Sequence, residues 1–442
     1  MSKCEKAVKL DKMKDYTAEY ESKKITVEQA LSKIESDMNI YVGVDVAEPV
    51  TVLREMYTIA DRVKNVTINS VLGPEDYKHL HDESGHIRTE PFFYGPFTRR
   101  AHSTGNVSLV PASISTLYRD RAAFRKPDVF IGLASPMDKH GFMTMGMCIS
   151  QEMDALEQAD IVILEINPNV PVVYGDAAVH IKDVDFIVES DRDLPLDPVA
   201  APNEIQETIG HYIADLIEDG STIQLGIGGI PDAAARQLIN KHDLGVHSEM
   251  FTPSMVTLYE AGVITGAEKN IDKGQMVCTL LTSSPEVFEF VDHNPAVKIM
   301  RGSYVNDPFV IMKNDRMVAI NSALHVDLTG QIFSETIGHT QYSGSGGAND
   351  FAMGAHRSRG GKSIIALPST KKKGTISSIQ PLDLEGGVVT VLRQTVDYVV
   401  TEYGAAPLSG RSIKDRVENL IAVAHPDFRS ELREQAKKLE LW

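Results

Sequence analysis

The sequence predicts an α/β protein built from two related domains with mainly parallel sheets, and three observations predict it. Short apolar runs of strand length, such as Ile161–Ile166, alternate with amphipathic helical stretches. A polar, proline-bearing segment before residue 200 divides the chain. On either side of it the order strand, turn, helix, strand recurs.

In the first half, Tyr41–Val44 reads as a strand, Asp45–Pro49 as a turn, Val50–Val63 as a helix and Val66–Val71 as the next strand. Val129–Leu133 and Ile161–Ile166 add two more. Asp191-Arg-Asp-Leu-Pro-Leu-Asp-Pro198 has neither helical nor strand period and reads as a linker, which sets the domains at 1–200 and 201–442. Asn203 then caps a helix with Ile205, Ile209, Ile213, Leu216 and Ile217 on one face, and Gly220 reads as its closing glycine. Thr222–Leu225 is a strand and Gly226–Ile230 a turn. Pro231 takes the first position of a helix running to about His242, and Val246–Met250 is the following strand. Ile364–Leu367 and Val388–Leu392 read as later strands.

At 442 residues, with 42% hydrophobic and 24% charged content, the chain is long enough for two or three well-cored domains. No apolar run approaches the ~18–20 residues that span a bilayer. The charged start, Met1-Ser-Lys-Cys-Glu-Lys6, lacks the apolar stretch of a secretory signal. Cys4, Cys148 and Cys278 are far apart, which argues for the cytoplasm and against a disulfide framework or a cysteine metal site. His79, His81 and His86 have loose spacing, so no metal is expected. The 61 acidic residues outnumber 44 basic ones, giving −17, a balance that disfavours nucleic acid and membrane surfaces. Lys371, Lys372 and Lys373 form the densest basic spot and, taken alone, read as a solvated loop rather than an anion site.

Gly226-Ile-Gly-Gly-Ile-Pro231 follows a strand and opens a helix, where free N–H groups favour an anion. A dinucleotide-binding turn would want a third glycine where Pro231 stands; Glu249, 23 positions after Gly226, could serve as its acidic residue. A tight turn without a ligand is the other reading. Gly344-Ser-Gly-Gly-Ala-Asn-Asp350 offers several unshielded N–H groups, suited to an oxyanion or a thioester carbonyl, or else forms a flexible loop. A carboxylate such as Glu249 at the end of a parallel strand lies where α/β folds place ligands, although from the residues alone a solvated strand-end charge is the favoured reading.

Leu244-Gly-Val-His-Ser-Glu-Met250 with Gly262-Val-Ile-Thr265 resembles the active-site region of the acetyl-CoA hydrolase/transferase family, nearest in pattern to its 4-hydroxybutyrate and butyryl-CoA:acetate CoA-transferases. Both glycine motifs are similar to the family's, with Ala348 where a glutamine is usual, and Gly175-Asp-Ala-Ala-Val-His-Ile181 is also family-like. The resemblance covers nearly the whole chain. It implies a CoA-transferase fold with its site between the domains, and Glu249 as a nucleophile that carries CoA as a glutamyl thioester in a ping-pong exchange. It implies that Gly346 and Gly347 stabilise oxyanions, and that Gln224, Leu225, Gly226, Ile227, Gly228 and Gly229 approach CoA or substrate. Lys373 then becomes a partner for CoA phosphates.

The resemblance further implies acyl-CoA and short-chain acids such as acetate as substrates, no cofactor beyond coenzyme A, and a homodimer or homotetramer. An acyl-CoA hydrolase differs only in admitting water. A nicotinamide-dependent dehydrogenase is the distant alternative, weakened by Pro231 and by the second glycine motif. His247, two residues before Glu249, points to the same face by strand alternation and tunes the nucleophile or simply bonds within the strand. Met137, Met143, Met145, Met147 and Met153 read as core or lid filler. Pro91-Phe-Phe-Tyr-Gly-Pro-Phe97 lines an acyl channel or caps the core.

Overall fold

The computed structural model describes residues 15–196, 201–383 and 386–441. Cys4 with the rest of the first segment, and Asp197 and Pro198 of the linker, lie outside the described residues. Two six-stranded sheets organise the chain. The first comprises β1 (Asn39–Val42), β2 (Val66–Asn69), β3 (Ile87–Thr89), β4 (Val129–Ala134), β5 (Ile161–Ile166) and β6 (Phe186–Glu189), in the order β3-β2-β1-β4-β5-β6. All its pairings are parallel. β4 is buried along its whole length, as its continuous apolar sequence requires of a strand covered on both faces.

The second sheet comprises β7 (Thr222–Leu225), β8 (Gly245–Val246), β9 (Met317–Ser322), β10 (Lys362–Ala366), β11 (Tyr398–Thr401) and β12 (Gly404–Pro407). Its order is β8-β7-β9-β10-β11-β12, parallel except for the antiparallel edge pair β11–β12. In each sheet the chain leaves a central strand, β1 or β7, in one direction and later returns to its other side. The crevice beyond such a strand is where open α/β sheets hold ligands. Five helices matter below: α1 (Glu204–Asp215), α2 (Gly229–Gln237), α3 (Pro253–Glu260), α4 (Gly302–Val305) and α5 (Ala348–Arg357).

Beyond β1 the crevice is occupied from within. Glu152 accepts from the Val44 N–H at 2.9 Å, and Glu165 accepts from the Thr51 N–H at 3.0 Å while pairing with Arg192. Glu48, Glu152 and Glu165 are all buried there.

Asn203 caps α1 as expected, reciprocally with Gln206. Other expectations need correction. The helix over 50–63 is only Val50–Leu53 followed by a 3₁₀ turn, Met56–Ile59, because past Arg54 the amides bond three residues back, Glu55 to Val52 and Thr58 to Glu55, which tightens the turns. Gly220 lies beyond the end of α1 at φ 71° and turns the chain into β7. Pro231 is the third residue of α2; the first turn has no intrahelical use for its missing N–H, so it sits there without cost. α2 gives way to a 3₁₀ turn at Leu238 and stops short of His242. Val388–Leu392 forms no strand; only Val391 bridges to Ile332. The strand over 246–250 is broken, and Met250–Phe251 pairs instead with Leu280–Leu281. No helix among the described residues is long and apolar enough to cross a membrane.

Candidate active site

The break after β8 puts Glu249 at a bend beside the crevice beyond β7. Backbone bonds lock the bend: the Glu249 carbonyl accepts from the Thr279 and Leu280 amides at 3.0 and 3.1 Å. Ser248 Oγ donates to the Leu225 carbonyl at 3.4 Å, tying the bend to the end of β7 where the first glycine turn begins. The Glu249 side chain is half-buried and projects toward α4 and α5.

Asn306, fully buried at the end of α4, donates from Nδ2 to Glu249 Oε2 at 2.8 Å. Gly347, the residue before α5, turns its N–H to the same carboxylate. Its approach is so close that a Cβ there would lie 1.9 Å from Glu249 Oε2 and 2.1 Å from Asn306 Nδ2. Gly346 adopts φ 51°, with room for a Cβ 3.6 Å from Phe93 and 3.9 Å from Glu249 Oε1. Desolvation, strengthened by the nearby Asp350 charge, outweighs these hydrogen bonds and pushes the Glu249 carboxyl up to about 7.

The nest belongs to the second half but is pinned to the first. Asp350 accepts from the Ser115 N–H at 3.1 Å and its hydroxyl at 2.9 Å, Ser345 donates to the Ala112 carbonyl at 2.8 Å, and Gly344 packs on the Phe92 carbonyl and Phe93. Burial pushes the Asp350 carboxyl up to about 6. The aromatic segment Pro91–Phe97 thus reaches the site through Phe93.

His247 and Glu249 do reach one structure, α4. His247 Nε2 meets the Val305 carbonyl at 2.8 Å, and a carbonyl only accepts, so that nitrogen carries the proton and Nδ1 is left without a partner. Burial, with the Lys269 ammonium close by, pushes this imidazole down to about 4 and keeps it neutral.

Gln224 is buried at the end of β7 and spends its Oε1 on the Ile320 amide at 3.1 Å, across to β9. Leu225 is core, whereas Ile227 is 56% exposed. Ile227, Gly228 and Gly229 border an apolar cavity of about 760 Å³ that extends between α2 and α3 to Thr252 and Thr282–Ser284. Glu249 does not line this cavity, so the cavity and the carboxylate are separate spaces. Lys373 stands at the exposed tip of the hairpin joining Thr370–Lys371 to Ile376–Ser377, outside the group of residues touching Glu249. Among the described residues no group of three or more His, Cys, Asp or Glu side chains could hold a metal ion.

Sequence reasoning missed Asn306 and Ser115, and gave Asp350 no role of its own beyond its place in the second glycine motif. Asn306 sits 57 positions from Glu249, followed by Asp307, which caps the next helix, so nothing local marks it as more than a helix stop.

The family profile described as the acetyl-CoA hydrolase/transferase N-terminal domain matches residues 8–196, and the C-terminal domain of the same family matches residues 284–436. Glu249 and the first glycine turn fall between the two spans. The chain is 41% identical to a 4-hydroxybutyrate coenzyme A transferase of Clostridium kluyveri, over 95% of this chain and 98% of the relative. It is 34% identical to a butyryl-CoA:acetate CoA-transferase of Anaerostipes caccae, over 97% and 98%. The crystal structure of RipA from Yersinia pestis superposes with a TM-score of 0.91 at 36% identity, covering 97% of this chain and all of that one.

Proposed function

The chain belongs to the acetyl-CoA hydrolase/transferase family and is a CoA-transferase, and on that premise we propose that it exchanges CoA between short-chain acids through a covalent glutamyl-CoA thioester on Glu249. The observation that carries this reading is a carboxylate held between the Asn306 amide and the Gly347 N–H, beside the crevice beyond β7.

The Glu249 carboxylate attacks the thioester carbonyl; the carbon–sulfur bond breaks, giving an acyl-glutamyl anhydride and the CoA thiolate. The thiolate attacks the glutamyl carbonyl, forming the enzyme–CoA thioester and releasing the first acid as its carboxylate. An incoming acid attacks that thioester and regenerates an anhydride with free thiolate. Thiolate attack on the acyl carbonyl then yields the new acyl-CoA and frees Glu249. Each tetrahedral oxyanion needs preorganised donors, for which the amides at Gly346 and Gly347 are suited by their nearness to the carboxylate. The apolar cavity beside Gly228 and Gly229 suits the extended arm of CoA, and Lys373 its phosphates. The dehydrogenase reading has no comparable support, since Glu249 is engaged with Asn306 and Gly347.

The chemistry calls for no cofactor beyond the coenzyme A of the substrate. The buried, unpaired thiols of Cys148 and Cys278 favour a cytoplasmic setting, and the resemblance favours a homodimer or homotetramer. The acids we assign are acetate with butyrate or 4-hydroxybutyrate.

Intact-protein mass spectrometry after incubation with butyryl-CoA, without an acceptor acid, tests the mechanism. A CoA-sized adduct mapping to Glu249, discharged by acetate and absent in Glu249→Ala, is expected. Consumption of the thioester without adduct or acceptor would instead indicate hydrolysis.

A further inference from the structure

We propose that Arg301 is a positioning residue through which the first half of the chain sets Asn306 against Glu249. The inference rests on the reading of Glu249 as the nucleophile.

The motif Gly175–Ile181 has no part in the chemistry above, yet it meets the second half closely. Asp176 N–H donates to the Ile299 carbonyl and Ile299 N–H to the Tyr174 carbonyl, both at 2.9 Å, so Gly175 bridges in parallel to Ile299, the last residue of the strand Val297–Ile299. Gly175, at φ 133°, leaves no space for a side chain: a Cβ would lie 1.9 Å from the Ile299 oxygen. Two residues later the chain reaches Arg301, whose guanidinium is gripped by carboxylates of the first half. Nε meets Asp176 at 2.5 Å, Nη1 meets Asp154 at 2.7 Å, and Glu157 binds both terminal nitrogens at 2.9 and 2.5 Å.

Exposed ion pairs contribute little, but a guanidinium fork held in a partly buried network fixes direction as well as charge. Arg301 is only 20% exposed. Its carbonyl accepts from the Tyr304 and Val305 amides, and Gly302 accepts from Asn306, so Arg301 begins the one-turn helix that Asn306 ends. Gly302 presses on the first half as well, where a Cβ would meet Ile114 and the Ser150 carbonyl at 2.7 Å. From the other side His247 holds the Val305 carbonyl. α4 is therefore clamped between the strand that leads to Glu249 and the carboxylates of the first half. Loss of the guanidinium would leave three carboxylates facing one another and release the helix that carries Asn306.

The test compares full-length Arg301→Gln, Arg301→Lys and Asp292→Ala. Asp292 accepts from the Val172 N–H at another join between the halves and serves as a control for loosened packing. Arg301→Gln is expected to form the Glu249–CoA adduct about 10²-fold more slowly, the scale of a 1 Å misplacement. Its KM for butyryl-CoA stays within about threefold, because binding is not what the clamp governs. The acid limb of its pH–rate profile moves to higher pH, since Glu249 loses the hydrogen bond that favours its ionised form. Arg301→Lys, with charge but no fork, falls between, and is read alone if Arg301→Gln does not fold. Asp292→Ala keeps both the adduct rate and the acid limb. An unchanged adduct rate and acid limb in the Arg301 variants, or equal losses in Asp292→Ala at equal melting temperature, would overturn the proposal. A wild-type enzyme that turns over without any adduct would sink the nucleophile reading first, and the proposal with it.

Discussion

Replacing Gly347 by alanine isolates the geometry of the proposed nucleophile, Glu249, from the stability of the fold. Gly347 has φ −94° and ψ 6°, a conformation open to residues with side chains, so alanine strains the backbone little. The methyl group, however, falls 1.9 Å from Glu249 Oε2. Carbon and oxygen do not approach much inside about 3 Å, so the carboxylate must retreat by about 1.1 Å and abandon its place against the N–H and the Asn306 amide. A misplacement of that size costs about 10²-fold in rate, or roughly 2.7 kcal/mol of activation free energy. Gly346→Ala should fail in the opposite way. The space exists, with neighbours no closer than 3.6 Å, but φ of 51° costs an L-residue about 1–2 kcal/mol of stability. CoA transfer from butyryl-CoA to acetate, measured beside thermal unfolding, separates the two effects. Gly347→Ala within about threefold of the wild-type kcat would refute the placement of the reacting carboxylate.

Because burial pushes the Glu249 carboxyl up to about 7 and the proposed reaction needs its anion, kcat/KM for butyryl-CoA should fall about tenfold per pH unit below that value. Asn306→Ala removes a hydrogen bond that favours the anion, so the acid limb moves up; the lost contact should cost roughly tenfold to hundredfold in rate above the limb. Asp350→Asn removes a neighbouring negative charge and should shift the limb the other way, to lower pH, in the same profile. Lys373→Ala should raise KM for CoA thioesters by up to about tenfold at low salt with kcat unchanged, an effect that added salt erases. Equal kinetics at low salt would remove Lys373 from the CoA site.

Much of the frame is legible in the sequence because it is locally encoded. Ile161–Ile166 is apolar at nearly every position, the mark of a strand covered on both faces, and its bounds are those observed. Asn203 and Gln206 sit three apart and cap α1 with no distant help. Val388–Leu392 carries an equally convincing strand pattern but finds only one bridge, since a strand exists only where a partner edge lies free. The bend at Glu249 is invisible for the same reason: it depends on amides of Thr279 and Leu280, about thirty residues away. Within the site, the glycines announce themselves by composition, and Glu249 by its place in a motif. Asn306 and Arg301 have no such signature; their roles come from contacts with groups far along the chain.

The buried carboxyls beyond β1 bear on how many equivalents of coenzyme A one chain is expected to hold. With Glu152 on the Val44 amide and Glu165 on the Thr51 amide, these amides beyond the first sheet already have carboxyl partners, whereas the crevice beyond β7 is the one proposed for substrate. On the proposed reading, saturation with thioester should therefore load one CoA per polypeptide, and a second equivalent would refute it.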